Sequence, residues 1–177
     1  ACLFCNQHRI SGRTGHHPVS PGEVAEIISR WLARGAASRT GQAQVAFYGG
    51  SFTGLAAERQ EELLGAVAPF RQQGLVQAIR LSTRPDYIDS GVIARLHRFG
   101  VAIVELGVQS LDPLVLAACN RGHSAAQAIR AFGLLREAGL GVGVQLMVGL
   151  PGQSLLSLRR TVRQVAALRP DFVRIYP

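Results

Sequence analysis

The sequence predicts an α/β protein whose parallel sheet is covered by helices. Three observations lead there. Strand-like and helix-like segments alternate along all 177 residues. The strand-like segments are mostly apolar runs, such as Val101-Ala102-Ile103-Val104, the pattern of strands buried on both faces. The chain is 47% apolar, with no linker or low-complexity tract, which suits one compact domain. A chain of this length buries about 70% of its extended surface on folding, so no disulfide staple is needed. A doubly wound sheet and a partial (β/α) barrel both fit this alternation.

The elements follow in order. Ser20-Pro21-Gly22-Glu23 starts a helix, with Ser as N-cap, Pro at the first helical position and Glu at the third. Val24, Ile27, Ile28, Trp31 and Leu32 then fall on one face. Gln44 to Tyr48 reads as a strand ending in Gly49-Gly50, and Leu55 to Gln73 as a helix. Gln77 to Ser82 is a strand, Pro85 a turn, and Ile88 to Phe99 a helix stopped by Gly100. Val101 to Leu106 is a strand, and Asp112 to Ala118 a short helical piece. Ser124 caps the next helix, with Gln127 in the capping-box position, Ile129, Phe132 and Leu135 inward, and Gly139 at its end. Val142 to Val148, Leu155 to Leu168 and Asp171 to Tyr176 complete the pattern as strand, helix, strand.

The net charge is +8, and all 19 basic residues are Arg. They are scattered through helical segments, with no run longer than Arg159-Arg160, so the charge describes an Arg-rich solvated surface. The longest apolar runs fall far short of the roughly 20 residues of a membrane span, and no signal peptide opens the chain. A cytoplasmic location is expected. The three cysteines are Cys2 and Cys5, a C-x-x-C pair, and Cys119, read as a buried thiol. An odd count argues against a disulfide framework and a disulfide-linked partner. The pair then points to redox, zinc or iron–sulfur chemistry.

In parallel α/β folds the chemistry gathers at the carboxyl ends of the strands. Here those ends carry Tyr48-Gly49-Gly50-Ser51-Phe52-Thr53-Gly54, Ser82-Thr83-Arg84-Pro85-Asp86, Glu105 with Gly107-Val108-Gln109-Ser110, and Gln145-Leu146-Met147-Val148-Gly149-Leu150-Pro151-Gly152. Two adjacent glycines let a ligand approach the backbone closely. The dinucleotide fingerprint G-x-G-x-x-G and a G-K-[ST] phosphate loop are both absent. Glu105 reads equally as a buried structural acid or as a site residue. His16-His17 reads as a pair of exposed loop histidines.

Taken together these motifs resemble the radical S-adenosylmethionine (radical SAM) superfamily. Cys2-Leu3-Phe4-Cys5-Asn6-Gln7 is similar to the second half of its C-x-x-x-C-x-x-C signature. Phe47 to Thr53 resembles its glycine-rich motif. Glu105 to Ser110, Asn120-Arg121-Gly122-His123 and Val148 to Gly152 resemble later motifs, in the same order. The branch is that of the elongator catalytic subunit and oxygen-independent coproporphyrinogen oxidase. The resemblance implies a partial (β/α)6 TIM-type barrel and two cofactors, a [4Fe-4S] cluster and S-adenosyl-L-methionine (SAM).

It also implies roles. Cys2 and Cys5 are cluster ligands; Gly49, Gly50 and Ser51 contact the SAM amino group. Gln109 contacts the ribose, Arg121 the SAM carboxylate, and Met147 and Tyr176 line the adenine. Ser82 stands where the porphyrinogen oxidase has a ribose-binding Glu, and Gln145 where it has an Asp. The implied activity is reductive cleavage of SAM to a 5′-deoxyadenosyl radical that abstracts hydrogen from a substrate. The two relatives suggest tRNA or a tetrapyrrole-like molecule, and an electron donor is required. The family's first cysteine and first barrel strand would fall ahead of Ala1. The segment alone is therefore expected to fold poorly at that edge and to hold no intact cluster, being truncated at both ends of the core domain that residues 1–177 represent. The rival reading is a structural zinc module in which Cys2, Cys5 and two of His8, His16 and His17 complete a tetrahedral site. It leaves Gly49-Gly50, Gln109 and Arg121 without a role.

Overall fold

The structure is a computed structural model, and the residues it describes are 2–3, 18–35 and 43–177. Five strands form one sheet, every neighbouring pair parallel, in the order β1-β2-β3-β4-β5. These are β1 (Gln44–Phe47), β2 (Ala78–Thr83), β3 (Val101–Gln109), β4 (Gly141–Met147) and β5 (Phe172–Tyr176). A doubly wound sheet reverses its order at a switch point. This one never does: each strand joins the previous one, and the sheet curls into a half-barrel. The alternative that the strand–helix pattern left open is thereby decided.

Helix α1 (Pro21–Gly35) starts as its sequence dictates. Glu23 N–H donates to Ser20 Oγ at 3.1 Å, and Ser20 N–H to Glu23 Oε2 at 2.7 Å. Its inward stripe is narrower than expected. Val24 and Ile28 are buried and Leu32 packs against the core, but Ile27 and Trp31 are exposed, Trp31 at 67%. The helix packs on α2 (Ala57–Gly65), and one neighbour covers only the i, i+4, i+8 row.

The single helix expected over Leu55–Gln73 is two pieces, α2 and α3 (Ala68–Gln72), preceded by a 3₁₀ turn (Phe52–Gly54). Pro69 is the cause, since it offers no N–H and its ring clashes with the carbonyl one turn earlier. Gln60 of α2 is buried, with Nε2 donating to the Thr53 and Leu55 carbonyls at 3.1 and 2.7 Å. That ties α2 to the loop after β1.

Helix α4 (Ser90–Arg98) is capped by Asp89, which accepts from Val92 N–H at 2.7 Å. Helix α5 (Pro113–Ala118) is capped by Asp112. Helix α6 (Ala125–Glu137) has the expected Ser124–Gln127 capping box. It buries Ala128, Ala131, Phe132 and Leu135; Ile129, expected inward, is exposed. Small alanines on the packed face bring the helix close to β3 and β4 and turn Ile129 past the contact. Helix α7 (Leu155–Leu168) matches its expected bounds. The core between sheet and helices centres on Leu64, Ile79, Leu81, Val104, Leu106 and Val142. Gly143 is opposite Phe172 across β4 and β5, and a Cβ there would meet the Phe172 ring at 2.2 Å. Gly143 thus serves packing. Among the described residues no helix is long and apolar enough to cross a membrane.

Candidate functional site

The carboxyl ends of the five strands surround a cavity of about 700 Å³. It is lined by Cys2, Gly49, Gly50, Ser51, Ser82, Gln109, Arg121, Gln145, Met147 and Tyr176, every described residue that the sequence nominated. Cys5 lies outside the described residues, as do His8, His16 and His17. The lining also includes Tyr48, Thr83, Arg84, Glu105, Gly107, Arg174 and Pro177.

The rim after β1 is backbone-rich. Gly49 has φ +104°, a region that side-chain-bearing residues rarely adopt. A Cβ on Gly49 or Gly50 would touch nothing within 4 Å, so both face open space. Ser82 Oγ donates to the Gly50 carbonyl at 3.4 Å, and the Thr53 and Thr83 hydroxyls are 2.6 Å apart. The glycine loop is thereby pinned to the end of β2.

Strand β3 runs three residues further than expected, to Gln109, with a register shift against β4 between Gly107 and Gln109. Gln109 sits at φ +68°, an unfavourable conformation for a side-chain residue and one found preferentially at functional sites. Its Oε1 accepts from Gln145 Nε2 at 3.3 Å, pairing the amides of β3 and β4 at the cavity wall.

Arg121 is buried, and all three guanidinium nitrogens are engaged. Nη1 donates to Cys2 Sγ at 3.3 Å, Nε to His123 Nε2 at 3.1 Å, and Nη2 to the Gly107 carbonyl. Only glycine admits this: a Cβ on Gly107 would lie 2.9 Å from Arg121 Nη2. The Cys2 thiol faces the Arg121 carbonyl at 3.8 Å, and Leu3 N–H donates to the Cys119 carbonyl at 3.1 Å. The amino-terminal cysteine is thus docked between the end of α5 and the Arg121 loop. Cys119 is buried as expected. Burial and the neighbouring Cys2 push its thiol up, and Arg121 offsets part of that.

Glu105 is a buried, hydrogen-bonded acid at the cavity wall. Its side chain is 2% exposed, yet it lines the cavity. It accepts from Arg80 Nη2 at 2.6 Å, Arg174 Nη1 at 3.0 Å and the Tyr48 hydroxyl. Burial raises its carboxyl, but the bonds from Tyr48, Arg174 and Arg80 outweigh burial and hold it below the usual glutamate range. Burial, and then the bond to Glu105, push the Tyr48 hydroxyl up. The Arg174 guanidinium also lies over the Tyr48 and Tyr176 rings, at 5.4 and 5.7 Å from their centroids. Arg84 forms a fork with Asp86 at 2.9 and 2.6 Å. Sequence reasoning left Tyr48, Arg84 and Arg174 out of the site. Their signal was position beside a strand's carboxyl end, which holds for many residues with no role.

The arrangement can hold a zwitterionic ligand, with bare glycine backbone and a guanidinium lining the same space. Its volume is that of a small-molecule cofactor site. Among the described residues no three His, Cys, Asp or Glu side chains gather at a metal-sized site, so Cys2 is the one described candidate ligand of a metal cluster.

Comparison with known proteins places this architecture. Residues 1–165 match the family model of the radical SAM superfamily. The chain is similar to the tRNA uridine(34) acetyltransferase of Methanocaldococcus infernus, 39% identical over 103 residues, covering 56% of this chain and 19% of that protein. It is also similar to the oxygen-independent coproporphyrinogen III oxidase of Bradyrhizobium diazoefficiens, 33% identical over 157 residues, covering 86% of this chain and 32% of that protein. The chain therefore spans only a fifth to a third of these relatives. Among solved structures it superimposes on archaeal Elp3 from Methanocaldococcus infernus with TM-score 0.74 at 29% identity, covering 89% of this chain and 43% of that one. Coproporphyrinogen III oxidase from Escherichia coli shares the fold, with TM-score 0.69 at 21% identity, covering 99% and 40%. A curled parallel half-barrel with its nominated residues around one cavity, matched by the family model over nearly its whole length, belongs to the radical SAM superfamily of enzymes.

Proposed function

We propose that this chain is the SAM- and [4Fe-4S]-binding core of a radical SAM enzyme acting on tRNA. The observation that carries the cofactor reading is the cavity itself. Ten residues nominated one by one from separate motifs line a single space. The fit to SAM is chemical: open glycine backbone for an ammonium and the Arg121 guanidinium for a carboxylate line the same cavity. When bound, a reduced cluster and SAM supply a 5′-deoxyadenosyl radical able to take hydrogen from a substrate.

In this reading Cys2 and Cys5 hold iron. Gly49, Gly50 and Ser51 meet the SAM amino group, and Gln109 and Gln145, already hydrogen-bonded to each other, meet the ribose with Ser82 nearby. Met147 and Tyr176 line the adenine. The buried wall of β3 and β4 keeps water from the interior. Glu105, held ionised by three donors, fixes Tyr48 and Arg174 as the cavity's inner surface. The tRNA reading is supported by identities of 36–41% to three tRNA uridine(34) acetyltransferases. A tetrapyrrole substrate is the second reading, favoured by the longer coverage of the coproporphyrinogen oxidases, up to 99% of this chain.

The test is anaerobic reconstitution of the full reading frame with iron and sulfide, then incubation with SAM and a strong reductant. A brown protein that releases 5′-deoxyadenosine, and loses both properties when Cys2→Ser and Cys5→Ser are combined, is the expected result. A colourless protein carrying one zinc would overturn the reading. Deuterium incorporation from labelled tRNA or labelled coproporphyrinogen into 5′-deoxyadenosine separates the two substrates.

A further inference from the structure

We propose that His123 is the positioning residue for Arg121: as a neutral imidazole with its proton on Nδ1, it accepts from Arg121 Nε and holds the guanidinium in the cavity. This rests on the reading of Arg121 as the partner of the SAM carboxylate.

Two hydrogen bonds define one tautomer. His123 Nδ1 lies 3.2 Å from the Ser124 carbonyl oxygen. A carbonyl can only accept, so Nδ1 carries the proton. Nε2 then presents a lone pair, and Arg121 Nε–H points at it from 3.1 Å. Both side chains are buried, so neither bond competes with bulk water. The backbone enforces the pairing. Gly122, at φ +79°, turns the chain so that residues 121 and 123 lie side by side. Ser124 is the capping-box residue of α6, which fixes the carbonyl that His123 uses. Of the five guanidinium hydrogens, three go to His123, Cys2 and Gly107. One remains on each terminal nitrogen, the pair a carboxylate takes bidentately.

Protonation would undo this. An imidazolium offers only donors, and its Nε2–H would oppose Arg121 Nε–H, cation against cation. The groups that act on His123 are Arg121 on its own loop, Asp86 on the 85–87 turn (itself paired with Arg84), and the Ser124 and Gly107 carbonyls. Burial first, and Arg121 with it, hold the imidazole below its ordinary 6.5, outweighing the carbonyls and Asp86. His123 is therefore neutral at physiological pH. Hydrogen-bond geometry and charge thus agree on the same state of the ring.

The experiment measures SAM affinity by calorimetry on the reconstituted full-length protein across pH, for wild type, His123→Gln and His123→Leu. A Gln oxygen can accept where Nε2 does; Leu cannot. His123→Leu is expected to weaken SAM binding about tenfold, the loss of one hydrogen bond to a charged group. His123→Gln is expected to stay within about threefold of wild type. Wild-type affinity should fall as pH drops through the lowered His123 pKa, which lies below the ordinary 6.5, and His123→Gln should show a flatter profile. Comparing the two cancels proton uptake by SAM or the cluster.

A second measurement needs no SAM. Nitrogen NMR of histidine-labelled protein should show His123 with a protonated Nδ1 and a bare Nε2 at neutral pH; a protonated Nε2 overturns the proposal even if the Leu variant fails to fold. Unchanged affinity in His123→Leu, with wild type binding SAM, sinks the role of His123 alone. A wild type that binds no SAM takes down the reading of the cavity and this inference together.

Discussion

The two sides of the cavity are built on glycine in opposite senses. On the β1 side Gly49 and Gly50 face empty space, where a Cβ would meet nothing within 4 Å. On the β3 side the space beside Gly107 and Gly122 is filled by the protein's own cations. A Cβ would stand 2.9 Å from Arg121 Nη2 at Gly107 and 2.6 Å from Arg84 Nη2 at Gly122. The first side is a surface left bare for a ligand. The second is pre-organised: guanidiniums are seated before any ligand arrives, so their ordering is part of folding rather than of binding. Mutation should therefore hurt stability on one side and ligand binding on the other.

The largest effect is expected at Glu105, which anchors the pre-organised side. Glu105→Leu leaves Arg80, Arg174 and the Tyr48 hydroxyl facing an apolar group. A wholly buried pair broken in this way costs about 3–5 kcal/mol. The two Arg side chains are 24% and 43% exposed, so water reaches them and the expected loss is about 2–3 kcal/mol in urea unfolding. The pH dependence has a definite sign. The Glu105 carboxyl is held below its ordinary 4.5, so its contribution is complete above that value and is lost as pH falls through the lower folded pKa. Glu105→Gln should flatten the wild-type stability profile in that acidic window. An unchanged profile would show that the three donors do not act on this carboxylate.

The glycines give the direct contrast. Gly122→Ala meets both a positive φ and the Arg84 guanidinium, and should cost about 2 kcal/mol of stability. Gly49→Ala meets only the backbone penalty, about 1 kcal/mol, yet it places a methyl group at the bare rim. Unfolding and SAM titration on the same two proteins should therefore rank them in opposite orders, Gly122→Ala worse for stability and Gly49→Ala worse for binding per unit of stability lost. The same ranking in both assays would erase the distinction between the two sides.

How much of this was legible depends on what kind of fact each feature is. Caps and strand–helix alternation are local, so Ser20, Ser124, Gly139 and the bounds of α7 could be read directly. The five strands came through because each is a short apolar run with turn residues on both flanks. The helix across Leu55–Gln73 was misjudged because a long apolar-periodic stretch was weighed above Pro69, whose ring alone decides the break. Ile27, Trp31 and Ile129 were misplaced because periodicity says which residues share a face, while the width of the buried stripe depends on what packs there. That the nominated residues would gather around one cavity was legible through motif order. Their internal contacts were not: that Arg121 lies against Gly107 is set by how the loop after α5 packs on β3, and that Arg174 reaches back 69 residues to Glu105 by strand register.

A pair far from the cavity supplies the baseline. Arg136 and Asp171 meet at 3.0 and 2.9 Å on the surface, with side chains 39% and 44% exposed. An ion pair this open is screened and worth a few tenths of a kcal/mol. Asp171 also accepts from Val142 N–H at 2.7 Å, and that bond, more than Arg136, holds its carboxyl below the usual aspartate range. The two variants should then differ. Arg136→Ala removes the screened pair and an exposed bond from Nη2 to the Arg169 carbonyl at 3.0 Å, which water replaces, and should change stability by less than about 0.5 kcal/mol, the ion-pair part fading with added salt. Asp171→Ala also strands the Val142 amide at the start of β4 and should cost about 1 kcal/mol, largely salt-independent. Salt series on both proteins would show it. An Arg136→Ala loss as large as that of Glu105→Leu would mean that burial is not what separates the cavity's ions from those on the surface.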